Sequence, residues 1–222
     1  MKEPSGLLAA LAGRLALPVI GSPMFIASGP ELVIAQCTAG VVGTMPTRSV
    51  RDPALLGSEL DRISAACADF AAAHPGAPVA PFGVNLVMHR ANDRFEHDLE
   101  TVLDRQVPLV ITSLGPSASV VDAVHAYGGH VLHDVVSMRH ARKAIAEGVD
   151  GLILVCNGAG GHAGSLSPFA LLRELRFEYD GPVVLAGGIS DGFGVYGALA
   201  MGADLAYVGF AVHRDRRGGC RS

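Results

Sequence analysis

The chain of 222 residues has no tryptophan, few aromatics (5%) and few charges (17%). With a formal net charge of −4 and no basic stripe in its body, it is not built to follow a nucleic-acid backbone. Its four cysteines, at 37, 67, 156 and 220, form no C-x-x-C pair and meet no histidines at zinc spacing. A disulfide framework is excluded, no metal is expected, and a reduced, cytoplasmic setting follows. No apolar run is long enough to span a bilayer. The apolar N-terminal stretch, interrupted by Arg14, reads as a short amphipathic helix and not as a secretory leader. A G-x-x-x-x-G-K-[ST] phosphate loop is also missing.

Hydrophobic residues make up 50% of the chain, enough for a sizeable core. They are gathered in eight short runs: Leu17 to Phe25, Gly40 to Met45, Pro81 to Val87, Pro108 to Leu114, His130 to Val136, Gly151 to Cys156, Pro182 to Ile189 and Leu205 to Phe210. Such runs suit strands buried on both faces of a parallel sheet. Between them, apolar residues recur at threes and fours, as in Leu60, Ile63 and Cys67, or Phe95, Leu99 and Val102. Alternating strands and helices imply an α/β fold, and eight units match a (β/α)8 TIM barrel. The rival doubly wound sheet would place a glycine fingerprint after the first strand, where Ser22-Pro23-Met24 stands instead. No linker divides residues 1–210, which read as one domain; residues 211–222 read as an aberrant short tail. That tail, His213 to Ser222 at its end, has no apolar face. The last barrel helix and any C-terminal extension are therefore expected to be missing. Burial of the uncovered strand against a partner, a second copy of the chain included, or marginal stability should follow.

In a barrel the loops after the strands form the functional face. The segment Asn157-Gly-Ala-Gly-Gly-His-Ala-Gly164 follows the sixth strand. Its glycines let the backbone approach a flat ligand and leave His162 unshielded; a histidine serves there as general base or cationic anchor. A flexible turn with an incidental histidine is the plainer alternative. Ala186-Gly-Gly-Ile189, then Ser190-Asp191-Gly192, reads as strand, glycines and helix start, a pattern whose free N–H groups favour a phosphate; Gly209 would complete it. Ordinary turn glycines would look the same. Asn85 ends the third strand and needs partners that a polar heterocycle supplies. His133 and Asp134 place a polar pair inside the fifth strand, costly unless satisfied. Cys156 reads as a small core residue ending a strand, not as a nucleophile.

Together these motifs resemble the nitronate monooxygenase (2-nitropropane dioxygenase) family of FMN-dependent barrels. The pieces are Ser22-Pro-Met24, Gly83-Val-Asn85, His133-Asp-Val-Val-Ser137, Gly158-Ala-Gly-Gly-His-Ala-Gly164, Ser167-Pro-Phe169, Ala186-Gly-Gly-Ile189 and Met201-Gly-Ala-Asp204. The resemblance implies that Ser22, Pro23 and Met24 line the flavin ring and that Asn85 holds its polar edge. Gly187, Gly188 and Gly209 would cradle the FMN phosphate, with Ala159, Gly160, Gly161, Ile189 and Phe210 completing the cofactor site. His162 would be catalytic, with His133 nearby. The implied partners are a small nitronate or nitroalkane and O2, and the implied products are a carbonyl compound and nitrite. An FMN-dependent NAD(P)H enoyl-thioester reductase is the near alternative; an inactive barrel or interaction module is the third.

The resemblance fails at Phe210, where the family carries a hydroxyl residue, and in everything after it. If the tail is encoded by G/C-rich codons, a one-base shift from Val212 converts it to Phe-Ile-Ala-Thr-Ala-Glu-Glu-Ala-Ala, the family's continuation. The expectation is a frameshifted member; a short paralogue with an unrelated tail is the other reading.

Overall fold

The computed structural model describes residues 6–89, 91–161 and 164–209. Eight strands run through it: β1 (Val19–Gly21), β2 (Gly43–Pro46), β3 (Phe82–Val87), β4 (Leu109–Ser113), β5 (His130–Val135), β6 (Gly151–Val155), β7 (Val183–Ala186) and β8 (Leu205–Val208). Helix α1 (Gly6–Leu11) precedes β1. Helices α2 (Pro30–Thr38), α3 (Leu56–Ala73), α4 (Phe95–Asp104), α5 (Ala118–His125), α6 (Met138–Ala146), α7 (Pro168–Arg176) and α8 (Gly192–Ala200) each link one strand to the next. All pairings are parallel, from β2 through β8 and on to β1. The seam between β1 and β2 is a single bridge, Ile20 to Val42, where Gly21 N–H donates to Val42 O at 2.8 Å and Val42 N–H to Val19 O at 3.2 Å. The sheet thus curls into the expected (β/α)8 barrel.

Alternation along the strands divides the apolar residues between two cores. Ile20, Leu109, Ile111, Leu132, Ile153, Val184 and Leu205 point inward and fill the barrel, and Leu7 and Leu11 of α1 join them. Val84, Val110, Val131, Val135, Leu154 and Leu185 point outward against Val33, Leu56, Ile63, Val120 and Leu172 of the helices. This is why the strands read as continuous apolar runs: both faces are covered.

Every run read from the sequence overlaps a strand, and most strands stop short of their runs, although β2 continues to Pro46 and β3 ends with its run at Val87. The first ends at Gly21, two residues before Pro23, which has no N–H to continue a ladder. The seventh ends at Ala186 because Gly188 turns into the left-handed region at φ +70°. The leftover residues, Ser22 to Phe25 and Gly187 to Ile189, become the loops of the C-terminal face. Two cavities, of about 120 and 440 Å³, lie at the other end, around Arg14, Pro81 and Pro108.

Carboxylates placed just before strands pin the N-terminal ends. Asp150 Oδ2 accepts from Val131 N–H at 2.7 Å, and Asp204 Oδ2 accepts from Val183 N–H at 2.7 Å and from Arg176 Nη2 at 2.7 Å. Among the described residues no helix is long and apolar enough to cross a membrane. Phe210 and the tail, with the expectation of a missing last helix, lie outside the described residues.

Ile153 is fully buried in the inner core. Ile153→Ala should lower unfolding free energy by about 2–5 kcal/mol in urea titrations; a loss under about 1 kcal/mol would contradict a filled barrel.

Candidate active site

The C-terminal ends of the strands bring together residues far apart in sequence. At the end of β1 the chain bends over the buried Ser28 hydroxyl, which accepts from Met24 N–H at 2.9 Å and donates to Ser22 O at 3.3 Å. This bend lays Ser22 and Met24 across the end of β8: a side chain on Gly209 would meet Met24 Sδ at 3.5 Å and Ser22 Cβ at 3.7 Å. Ile26, next in this loop, holds φ +72° while 78% exposed, and Leu114, after β4, holds φ +68° while 64% exposed. For branched or bulky residues this backbone is strained, by about 1–3 kcal/mol each.

The loop after β6 folds back on its own strand. Asn157 N–H donates to Leu166 O at 2.8 Å and Gly164 N–H to Val155 O at 3.0 Å. A Cβ on Gly164 would sit 2.6 Å from Val155 O, so only glycine closes this loop without displacement. Gly158, at φ +90°, approaches the next loop: a Cβ there would lie 3.4 Å from Gly187 C and Gly188 N. The β6 and β7 loops therefore meet, with Ala159, Gly160 and Gly161 continuing from the contact. His162, at the crest of this loop in sequence, lies outside the described residues.

Gly187, Gly188 and Ile189 find no main-chain or side-chain acceptor for their N–H groups among the described residues. The start of α8 is different: Asp191 Oδ1 already accepts from Gly194 N–H at 2.8 Å. An anion at this end would therefore meet the glycine backbone, not a free helix terminus.

Inside the mouth, on the inward-facing positions, a polar layer caps the aliphatic core. Asn85 Nδ2 donates to Ile111 O at 3.2 Å and to Ser113 Oγ at 2.8 Å; Ser113 Oγ donates to Asp134 Oδ2 at 2.6 Å. A carbonyl oxygen only accepts, so the Asn85 nitrogen faces Ile111, and its Oδ1 has no donor among the described residues. Burial pushes the Asp134 carboxyl up to about 6, against the pull of the Ser113 hydrogen bond. Tyr207 of β8 joins the same layer, its hydroxyl raised well above the usual range by burial first and by the Asp134 charge second, with Ser22 opposing.

His133, one residue from Asp134, faces the other way. It shares the outward parity of Val131 and Val135, and its Nδ1 lies 2.7 Å from Thr112 Oγ1. Burial, then the charges of His140 and Lys143, pulls its ring down to about 4. The structure thus separates His133 from the mouth and gives it the part of a neutral, hydrogen-bonded histidine under α6. Burial likewise raises the Cys156 thiol to about 11, which leaves no nucleophile there at neutral pH. Among the described residues no group of three His, Cys, Asp or Glu could hold a metal ion. Ser113 and Tyr207 escaped the sequence reading, although both stand at inward spacing, two residues beyond Ile111 and Leu205.

This is a parallel eight-stranded barrel with a glycine-built mouth over a buried polar layer. The family model for nitronate monooxygenase matches residues 84–212. The chain belongs to that family. It is 29% identical to a nitronate monooxygenase of Paraburkholderia phytofirmans, over 87% of this chain and 62% of that one. It is 28% identical to (3aS,4S,5R,7aS)-5-hydroxy-7a-methyl-1-oxo-octahydro-1H-indene-4-carboxyl-CoA dehydrogenase of Rhodococcus jostii, over 84% of this chain and 49% of that one. The chain thus spans about half to two thirds of these curated relatives. Among solved structures, nitroalkane oxidase from Streptomyces ansochromogenes superposes with TM-score 0.77 at 26% identity, over 91% of this chain and 68% of that one. FabK from Thermotoga maritima superposes with TM-score 0.81 at 23% identity, over 97% of this chain and 64% of that one, which is a likeness of fold.

Asp134 makes a testable mark on stability. Its carboxyl titrates at about 6 folded and near 3.9 unfolded, as aspartates do in open chains. Between these values the folded state binds more protons, so this contribution is intact below about pH 4 and is lost as pH rises through about 6. His133, depressed to about 4, acts in the opposite sense, so the difference between variant and wild type is the quantity to read. Asp134→Asn should gain least at about pH 4 and most above about pH 7, on the order of 2–3 kcal/mol in urea titrations. A difference independent of pH would contradict the buried, protonatable Asp134.

Proposed function

We propose that the protein is an FMN-dependent enzyme that oxidises alkyl nitronates with O2 to a carbonyl compound and nitrite. The observation that carries this reading is the close approach of Gly158 to Gly187 and Gly188 at the barrel mouth, beside N–H groups that have no acceptor among the described residues. These residues fit the cofactor: bare α-carbons admit it, the N–H groups suit a phosphate, and the free Asn85 Oδ1 suits a ring N–H. Gly187, Gly188 and Gly209 would hold the phosphate, Asn85 the polar edge, and Ser22, Pro23 and Met24 the ring, within a domain formed by residues 1–210. FMN supplies the electron acceptor for nitronate oxidation and the reductant for O2.

The chain's own residues bind, orient and handle protons. Asn85 is held by Ile111 O and Ser113, so it presents an acceptor without reorganising. His162, on the loop closed by Gly164, would hold a nitronate anion when protonated or take the α-proton of a nitroalkane when neutral. His133 takes no part, since its ring is occupied with Thr112 on the outer side.

The purified protein should turn yellow with one FMN per chain and release nitrite from ethyl nitronate under air. His162→Ala should keep the flavin and lose about 10²–10⁴-fold in nitrite release. NADH oxidation driven by an enoyl thioester, with no nitrite from nitronates, would overturn the reading in favour of a reductase.

A methyl on Gly188 is strained at φ +70° and intrudes where the phosphate would lie. Gly188→Ala should weaken FMN binding at least tenfold, about 1.4 kcal/mol, by fluorescence titration; unchanged binding would move the phosphate elsewhere.

A further inference from the structure

Two thiols lie at the end of the barrel opposite the mouth and take no part in the reaction proposed there. Cys37, in the last turn of α2, is fully buried. Its carbonyl accepts from Ala80 N–H at 3.0 Å, and its Sγ lies 3.6 Å from Pro81 O. Ala80 and Pro81 are also walls of the cavity of about 440 Å³, and so is Cys67 of α3. Cys67 is half-buried and packs against the outer core cluster to which Cys37 belongs. One thiol thus faces the cavity and the other stands in the layer behind its wall. Both are free.

Arg14 brings a cation to the same place. It lines the cavity, and its Nε donates to Val79 O at 3.2 Å, one residue before Ala80. The Cys67 thiol is drawn below its ordinary range, first by a hydrogen bond from Cys37, with the Arg14 charge assisting and burial opposing. That hydrogen bond and burial together push the Cys37 thiol well above its own ordinary range. Cys156, raised to about 11 by burial, has neither aid. A half-exposed thiol that ionises readily, backed by a buried thiol that keeps its proton, has the arrangement of an attacking sulfur and its resolving partner.

We propose that Cys67 and Cys37 form a hydroperoxide-reactive dithiol site, with Cys67 as the attacking sulfur, Cys37 as the resolving one and the cavity beside Arg14 as the way in. The Cys67 thiolate attacks the distal oxygen of ROOH. An S–O bond forms, the O–O bond breaks, and the alkoxide leaves as ROH with the proton that Cys67 had given to solvent. The Cys37 sulfur then attacks the Cys67 sulfur. The S–S bond forms, the S–O bond breaks, and hydroxide leaves as water with the Cys37 proton. In sum, two thiols and ROOH give a disulfide, ROH and water: the sulfur pair loses two electrons and the peroxide gains them. The disulfide ties α2 to α3 and is undone by thiol reductants. This chemistry needs neither flavin nor nitronate.

Hydrogen peroxide in slight excess over the full-length protein tests the site, with the cysteine peptides mapped by mass spectrometry. A Cys37–Cys67 disulfide should form first and revert in dithiothreitol, while Cys156 stays reduced. Cys37→Ala keeps an apolar group in the core and should leave Cys67 as a sulfenic acid that dimedone traps. In Cys67→Ser, Cys37 should stay reduced. Arg14→Gln should slow formation of the linked species about threefold, through a smaller thiolate fraction. Absence of the link, a link from Cys67 to Cys156 or Cys220, oxidation of Cys37 in Cys67→Ser, or wild-type speed in Arg14→Gln would overturn the proposal.

Discussion

Strict alternation along strands buried on both faces decides which side chains can meet at the mouth of this barrel. On β5 it sends two adjacent polar residues to opposite sides of the sheet. His133 goes outward to Thr112 and the helices, where burial holds it neutral. Asp134 goes inward to Ser113 and Asn85. The same rule puts Ile111 and Ser113 on one face of β4, and Leu205 and Tyr207 on one face of β8. A polar layer over an aliphatic plug is the outcome. A one-residue shift in the register of β5 would exchange the two residues and dismantle it.

The loops complete what the strands begin. Gly164 folds the β6 loop back on its strand, and Gly158 touches Gly187 and Gly188 of the next loop. Backbone, not side chain, thereby forms one wall of the mouth. Beside it, past β8, Ser28 holds the bend that lays Ser22 and Met24 beside Gly209. Strained Ile26 and exposed Leu114 stand at the ends of β1 and β4, and such local strain is concentrated at sites of function.

Much of this was legible in the sequence. Eight apolar runs and the helical period between them sufficed for the barrel, because a parallel strand covered on both sides leaves a continuous signature. Helices α2 and α5 carry the weakest helical signal. Helix α5 carries Val120, Val121 and Val124, and α2 reads Leu-Val-Ile, so both look like strands by composition. The glycine loops were found as motifs, but their contact at Gly158 and Gly187 depends on the packing of neighbouring strands. The inner pair of Asp134 and Tyr207 was hidden for a stronger reason. Tyr207 lies three strands from Asp134, and only the pairing of β8, β7, β6 and β5 in one register puts both on the inner face. His133 attracted notice as a histidine in a strand, yet residue type alone carries no information about which face it takes.

The most direct test is a crystal structure of the protein grown with FMN. The phosphate should lie against the N–H groups of Gly187 and Gly188, with the pyrimidine edge of the ring at Asn85 Oδ1. FMN bound at the N-terminal cavities around Arg14, or a mouth that stays closed to it at saturating concentration, would contradict a cofactor site at the C-terminal face.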